Sequence, residues 1–126
     1  MICLTAGAVT AVLAVQSFTL SWIHSIEKIR WEEDWRVESR ELVIDQARIR
    51  GTGAGMEPPH DAVLKDGVWH YRPTQQRHPV LRLTHSPYAI GYQICSKLND
   101  QVHCRAIIDL LPGIDNNAVI ELRSCD

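Results

Sequence analysis

The stretch from Phe18 to Glu38 constrains the fold most strongly, because its apolar and polar residues alternate with a period of two. One row of this alternation holds Phe18, Leu20, Trp22 and His24 and, after a turn, Ile29, Trp31, Glu33, Trp35 and Val37. The opposite row, predicted to be a solvated face with cross-strand ion pairs, holds Lys28, Arg30, Glu32, Asp34, Arg36 and Glu38. A period of two is typical of half-buried strands and not of helices. Two such runs joined by a short turn predict a β-hairpin.

The rest of the chain also reads as short strands separated by turn residues. The predicted strands are Ile2–Ala6, Val9–Val15, Glu41–Arg50, Val68–Tyr71, Val80–Thr84, Ala89–Cys95, Val102–Ala106 and Ala118–Cys125. We expect loops at His60–Lys65 and Pro73–Pro79, and either a strand or one helical turn at Ile107–Leu111. Many short strands without a convincing amphipathic helix predict an all-β, single-domain antiparallel β-sandwich or barrel over residues 1–126, with short or no helices.

The charge pattern argues against two functional classes, and the length fits a single domain. A chain of 126 residues is long enough for one modest core. Its net charge is −2, so positive and negative residues are nearly balanced, and they are interleaved along the chain without a block of one sign. A nucleic-acid-binding protein would carry a basic stripe, so that class is disfavoured. The same interleaving gives no patch for binding a membrane surface, so we expect contact with a membrane to be peripheral at most.

The four cysteines predict two disulfides and an oxidising compartment. No pair has the C-x-x-C spacing of a structural zinc site, so we expect no metal. The favoured pairing joins Cys3 to Cys125 at the two ends and Cys95 to Cys104 across a hairpin that turns near Asn99-Asp100. Four reduced, buried thiols are the alternative. Disulfides persist mainly in exported proteins, so we expect the protein to be exported.

The first fifteen residues are apolar and uncharged, which is compatible with a signal-peptide core, a membrane anchor or core strands. No Lys or Arg precedes the run, and it is short for a membrane span. We therefore interpret it as two strands of the mature fold. An export signal would then lie upstream of Met1 and have been removed.

Two polar residues interrupt the inward row and give the main functional lead. His24 and Glu33 lie among Trp22, Trp31 and Trp35, and together these five residues predict a small polar site in an indole-lined surface that could hold a ligand or a partner's side chain. A tight turn places Trp22 opposite Trp31, whereas a longer loop places Trp22 opposite Glu33. The structural alternative is that His24 bonds a backbone carbonyl and that Glu33 pairs with an arginine such as Arg48 or Arg82.

A glycine-rich run at Gly51-Thr52-Gly53-Ala54-Gly55 adds Gly53 and Gly55 to the binding candidates, as a bend or as the floor of a pocket. A nucleotide loop is disfavoured, because Pro58 and Pro59 follow where a helix would have to begin. We expect no cofactor.

A catalytic reading is weaker. Ser25 adjoins His24, but adjacent side chains on a strand point to opposite faces, so no nucleophile–base pair follows from them. We therefore predict no enzymatic activity and no catalytic residues.

Several motifs together resemble a known family. They are Phe18-Thr19-Leu20-Ser21-Trp22-Ile23-His24-Ser25, Trp31-Glu32-Glu33-Asp34-Trp35, Gly51-Thr52-Gly53-Ala54-Gly55-Met56 and Val68-Trp69-His70-Tyr71. This pattern is similar to the domain-of-unknown-function family numbered 1850, which consists of small bacterial proteins. The resemblance implies an exported protein encoded beside tripartite TRAP-type transporters of the TAXI class, and it brings no established catalytic residue.

The residues together with this resemblance predict a non-enzymatic, exported (periplasmic) accessory or binding protein, and the resemblance implies its link to a tripartite solute transporter. Its partner would be a transporter component or the transported solute. The first alternative is a stand-alone β-barrel that binds a small molecule or a metal. The second alternative is a hydrolase. The identity of the ligand or partner and the oligomeric state stay open.

Overall fold

Two antiparallel sheets form the architecture in the computed structural model, which describes residues 1–24, 29–50, 58–84, 89–115 and 117–125. The smaller sheet has four strands in the order β2-β1-β12-β9. These are β1 (Ile2–Ala6), β2 (Val9–Leu13), β9 (Leu81–Thr84) and β12 (Val119–Ser124).

The larger sheet has eight strands in the order β11-β10-β3-β4-β5-β7-β6, with β8 paired to β5 beside that path. Its strands are β3 (Ser17–His24), β4 (Arg30–Glu38), β5 (Glu41–Arg50), β6 (Val63–Lys65), β7 (Val68–Tyr71), β8 (Arg77–His78), β10 (Ala89–Leu98) and β11 (Gln101–Ala106). A single helical turn, α1 (Ile107–Leu110), follows β11.

The hydrophobic core lies between the two sheets. The smaller sheet contributes Leu4 from β1 and Leu122 from β12, and the larger sheet contributes Leu20 from β3 and Leu42 from β5, all with no exposed surface. Two sheets that bury their inner faces against each other form a β-sandwich. The prediction of an all-β antiparallel fold is confirmed, and of the two predicted architectures the sandwich describes the packing.

Most predicted strands lie where the alternation placed them. The bounds of β5 and β7 are those predicted, and the ambiguous run at Ile107–Leu111 forms one helical turn. The two predicted loops were wrong in part, because they contain the short strands β6 and β8. Strands of two or three residues at a sheet margin are held mainly by backbone pairing, so they leave little periodicity in the sequence.

Tight turns fix the register of three hairpins. The turn residues are Ser39-Arg40, Asp66-Gly67 and Asn99-Asp100, and all six have positive φ angles between 52° and 80°. Two consecutive residues with positive φ are the signature of a type I′ turn, whose twist matches that of the strands it joins. Asp-Gly suits this conformation better than Ser-Arg does, because glycine has no Cβ to strain.

Both predicted disulfides are present. Cys3 is bonded to Cys125 with a Cα–Cα distance of 5.7 Å, and Cys95 is bonded to Cys104 with a Cα–Cα distance of 4.0 Å. The second bond joins directly opposed residues of β10 and β11. Two disulfides fit an oxidising compartment. Within the described residues, no helix has the length and apolar character needed to cross a membrane.

Candidate functional site

The hairpin of β3 and β4 brings two tryptophans together. Its register pairs Trp22 with Trp31, as expected for the tight-turn alternative, and the two indoles stack with ring centroids 6.1 Å apart and planes 13° from parallel. Both side chains are partly exposed. Stacked indoles at this spacing form a flat apolar surface that solvent can still reach.

A β-bulge adds a third ring to this surface. Ile90 pairs with Ile23 and Gln93 with Ser21, so Gly91 and Tyr92 together oppose Trp22. Gly91 has a φ of 73°, a conformation that is nearly free of strain for glycine alone. The ring of Tyr92 lies 5.7 Å from the ring of Trp22. The sequence reading missed Tyr92, because neither the strand order nor the bulge could be read from the alternation.

Glu33 occupies the next row of the same face. Its direct cross-strand neighbours are Leu20 and Ala47, which both belong to the core, so its carboxylate points inward as predicted. The indole Nε1–H of Trp35 donates a hydrogen bond to Oε1 of Glu33 over 3.2 Å. Trp35 is itself only 3 % exposed. The indole therefore supports the carboxylate from within the core and presents little of its own surface to solvent.

The surroundings of Glu33 disfavour its negative charge. Burial raises the pKa of Glu33, and the hydrogen bond from Trp35 and the charge of His78 counter this only in part. The His78 ring lies edge-on to Trp35 with centroids 5.4 Å apart. His78 belongs to β8, inside a segment that the sequence predicted to be a polar loop, which is why it was missed.

Two tyrosines face the same carboxylate. Tyr71 lies on β7 opposite Ala47, and burial, with a further contribution from the charge of Glu33, raises its pKa. The pKa of Tyr92 is raised in the same order of causes. We call Trp22, Trp31, Glu33, Tyr71 and Tyr92 the Glu33 cluster. It combines one carboxylate with four aromatic rings, all partly exposed.

The predicted arginine partners of Glu33 lie elsewhere. Arg48 is on the opposite face of the sheet, where its Nη1 and Nη2 contact the two carboxylate oxygens of Asp34 at 2.6 and 2.8 Å. Arg82 pairs with Glu121 at 3.2 Å. The alternative in which either arginine pairs with Glu33 is therefore wrong. Side chains alternate between faces, so Ala47, and not Arg48, shares the face of Glu33.

The face of the larger sheet opposite Glu33, which we call the outer face, is also less exposed to solvent than its many charged residues suggested. The side chains of Glu32 and Arg48 are only 12 % and 14 % exposed and lie 3.6 Å apart. Thr19 and Gln46 donate further hydrogen bonds to Asp34. The predicted ion pairs are present, but in this part of the row they form a packed network in which long side chains cover one another.

Three predicted site residues cannot be placed with the cluster. His24 ends β3, where its backbone pairs with Ala89, but its side chain lies outside the described part of the structure. Gly53 and Gly55 lie wholly outside the described residues. Within the part of the chain that is described, no group of three or more His, Cys, Asp or Glu side chains is arranged to hold a metal ion.

A family model for a domain of unknown function, DUF1850, matches residues 18–101, two thirds of the chain. The chain belongs to this family. The matched segment runs from β3 into β11 and contains every residue of the Glu33 cluster. Cys3, Cys104 and Cys125 lie outside it, so membership of the DUF1850 family does not depend on either disulfide. No curated protein and no solved structure matches the chain.

Proposed function

We propose that this DUF1850 protein is a non-enzymatic binding protein of the bacterial periplasm, acting as an accessory to a tripartite solute transporter. The observation that carries the proposal is the Glu33 carboxylate, which lies inward among aromatic rings and accepts a hydrogen bond from an indole. Binding a component of the transporter, or its solute, is the role that this cluster serves.

The packing around Glu33 suits binding. Trp22, Trp31 and Tyr92 provide an apolar surface with few rotatable bonds, so these side chains lose little conformational entropy when a ligand binds. A single polar group in such a surface fixes the orientation of a bound group. The described hydrogen-bond partner of Glu33 is the indole of Trp35, whose Nε1–H only donates a hydrogen bond and is neither a nucleophile nor an acid–base group near neutral pH.

The two disulfides support the location. Cys3–Cys125 and Cys95–Cys104 tie the termini and the β10–β11 hairpin, and such bonds form and persist outside the reducing cytosol. A protein with this framework would meet transporter components on the outer side of the inner membrane.

The test is recovery of partners from a bacterial envelope extract on immobilised protein. Wild type should retain a transporter subunit, or a solute that native mass spectrometry detects, and Glu33→Gln should lose it. Glu41→Gln is the matched control, because Glu41 begins β5, outside the Glu33 cluster, with a side chain 37 % exposed. Equal recovery by wild type and Glu33→Gln would contradict the assigned site, and recovery of no transporter component or solute would contradict the accessory role.

A further inference from the structure

The described arginines of β4 and β5 form ion pairs on the face of the larger sheet opposite Glu33. Arg48 contacts Asp34 and Glu32, Arg50 contacts Glu32 at 2.5 Å, and Arg30 lies 3.9 Å from Glu32. Glu33 projects to the inner face, where its described neighbours are aromatic rings, core aliphatic groups and His78. The sheet therefore separates a charge-compensated outer face from an inner carboxylate without a close described arginine or lysine.

A partly buried carboxylate with a neutral donor is stabilised when a cation approaches it. Removal from water penalises the charge, and one indole hydrogen bond replaces only part of the lost hydration. A cationic ligand would supply the missing counter-charge where the dielectric response is weaker than in water.

The rings around Glu33 favour the same type of ligand. The faces of Trp and Tyr rings carry negative electrostatic potential and attract ammonium and guanidinium groups, Trp most strongly. Trp22 stacks on Trp31 and contacts Tyr92, and these three side chains are partly exposed. Glu33 is itself partly exposed, so solvent reaches the ring surface and this residue on the same face.

Other ligand classes fit less well. An anion would be repelled by Glu33. A divalent metal needs several oxygen or nitrogen ligands, and Glu33 is the single carboxylate of the cluster, with no metal-binding group of three among the described residues. A purely apolar ligand would leave the carboxylate dehydrated and unpaired.

We infer that the Glu33 cluster binds an organic cation, an alkylammonium or alkylguanidinium group. Its charged head lies at Glu33 and beside the ring faces of Trp22, Trp31 and Tyr92, and its hydrocarbon packs on the same aromatic surface. This inference rests on the proposed function, because it assumes that the cluster is the binding site. The cation belongs either to a free solute or to a lysine or arginine side chain of a protein partner, since both present the same group.

The experiment follows the Trp35 indole Nε1–H resonance by NMR, because this N–H donates a hydrogen bond to Oε1 of Glu33. The full chain with both disulfides formed is titrated with n-butylammonium and n-butylguanidinium chloride at constant ionic strength. The neutral probe n-butanol and the anion butyrate are the matched controls. Both cations should give a saturable shift at concentrations at least about tenfold lower than either control. The Glu33→Gln variant should bind both cations more weakly by a similar factor, whereas Glu41→Gln should bind them as wild type does.

A second pair of probes distinguishes the sources of the cation. Tighter binding of Nα-acetyl-lysine methylamide or Nα-acetyl-arginine methylamide than of the free alkyl cations supports a partner's side chain, and the reverse order supports a solute. If n-butanol binds as well as n-butylammonium, or if no cation gives a saturable shift up to 100 mM, the inference is overturned. The proposed function fails separately, when the envelope extract yields no partner that depends on Glu33.

Discussion

Glu33 and Asp34 are adjacent on β4, yet their carboxylates lie on opposite faces of the larger sheet and their pKa values move in opposite directions. Burial raises the pKa of Glu33 on the inner face. Burial also acts to raise the pKa of Asp34, but hydrogen bonds from Arg48, Gln46 and Thr19 and the charge of Arg48 lower it to about 2. Two adjacent residues therefore differ in that Asp34 has an arginine to compensate its charge, whereas the Glu33 carboxylate has only a neutral hydrogen-bond donor.

Replacing Glu33 should change the pKa values of two tyrosines that are distant in sequence but lie in the same cluster. In Glu33→Gln the pKa values of Tyr71 and Tyr92 should both fall, because the contribution of the carboxylate charge disappears while burial stays. A pH titration of ¹³C-labelled tyrosine by NMR measures both. Glu41→Gln should leave them where they are in wild type, and unchanged values in Glu33→Gln would show that the carboxylate does not face these rings.

The same variant should change how stability depends on pH. The folded-state pKa of Glu33 is raised above 4.5, so protonation of Glu33 favours the folded state. This contribution to the free energy of unfolding is complete below pH 4.5 and is lost as pH rises through the folded-state pKa. Glu33→Gln keeps an oxygen for Trp35 and carries no charge, so its free energy of unfolding should lack this decline. The nearby titrating groups His78, Tyr71 and Tyr92 are common to both proteins. Urea unfolding from pH 4 to 8 tests this, and parallel curves would contradict it.

Asp34 should determine how the free energy of unfolding falls at acid pH. Its pKa is lowered from 3.8 to about 2, so its contribution is present above pH 3.8 and is lost as pH falls towards 2. Asp34→Asn should cost about 1 kcal/mol at neutral pH, after allowance for solvent screening, and should flatten the acid limb. Asp61→Asn, at an exposed position, is the control. An acid limb in Asp34→Asn as steep as in wild type would refute the assignment.

The two disulfides should contribute unequally. In the loop-entropy model the bond spanning 122 residues stabilises by about 5 kcal/mol, and the bond spanning 9 residues by about 2.5–3 kcal/mol. The double variant Cys3→Ser/Cys125→Ser should therefore lose about 2 kcal/mol more than Cys95→Ser/Cys104→Ser, and reductant should lower the Tm of wild type sharply. Denaturant unfolding of both variants measures the difference, and equal losses would rule out the entropic account here.

The turn at Ser39-Arg40 offers a stabilising change. Both residues have positive φ angles, 53° and 64°, which asparagine and glycine adopt at lower cost. Ser39→Asn/Arg40→Gly should raise the free energy of unfolding by about 0.5–1 kcal/mol. The Asp66-Gly67 turn already has suitable residues, so Asp66→Asn serves as the control and should gain less. A loss of stability in the first variant would mean that Arg40 makes a contact worth more than the strain.

Local alternation predicted the hairpin well. The rows of β3 and β4 and the bounds of β5 and β7 follow directly from a period of two, because each strand buries one face. The Cys95–Cys104 pairing was predicted from the turn between these cysteines, which places them opposite each other. The Cys3–Cys125 pairing was predicted from their positions near the two ends of the chain, and both bonds are present.

What alternation could not predict depends on contacts between distant strands. Tyr71 and Tyr92 reach Glu33 only because β7 lies beside β5 and β10 beside β3, an order that no local pattern encodes. The bulge at Gly91 and the two-residue strand that holds His78 are too short to leave a periodic signal. The packing of Glu32 against Arg48 was missed because composition alone does not show how long side chains cover each other.

The Cys3–Cys125 bond also determines how the molecule carries force. The amide of Cys125 donates a hydrogen bond to the carbonyl of Met1, so the two ends of the fold leave it side by side. Tension applied between those ends passes through one covalent bond and bypasses the sheets that lie between them in sequence. A single proteolytic cut anywhere between these cysteines likewise leaves both fragments joined. To divide the fold in two by tension between its ends, or by one cut between these cysteines, the Cys3–Cys125 bond must therefore also be reduced.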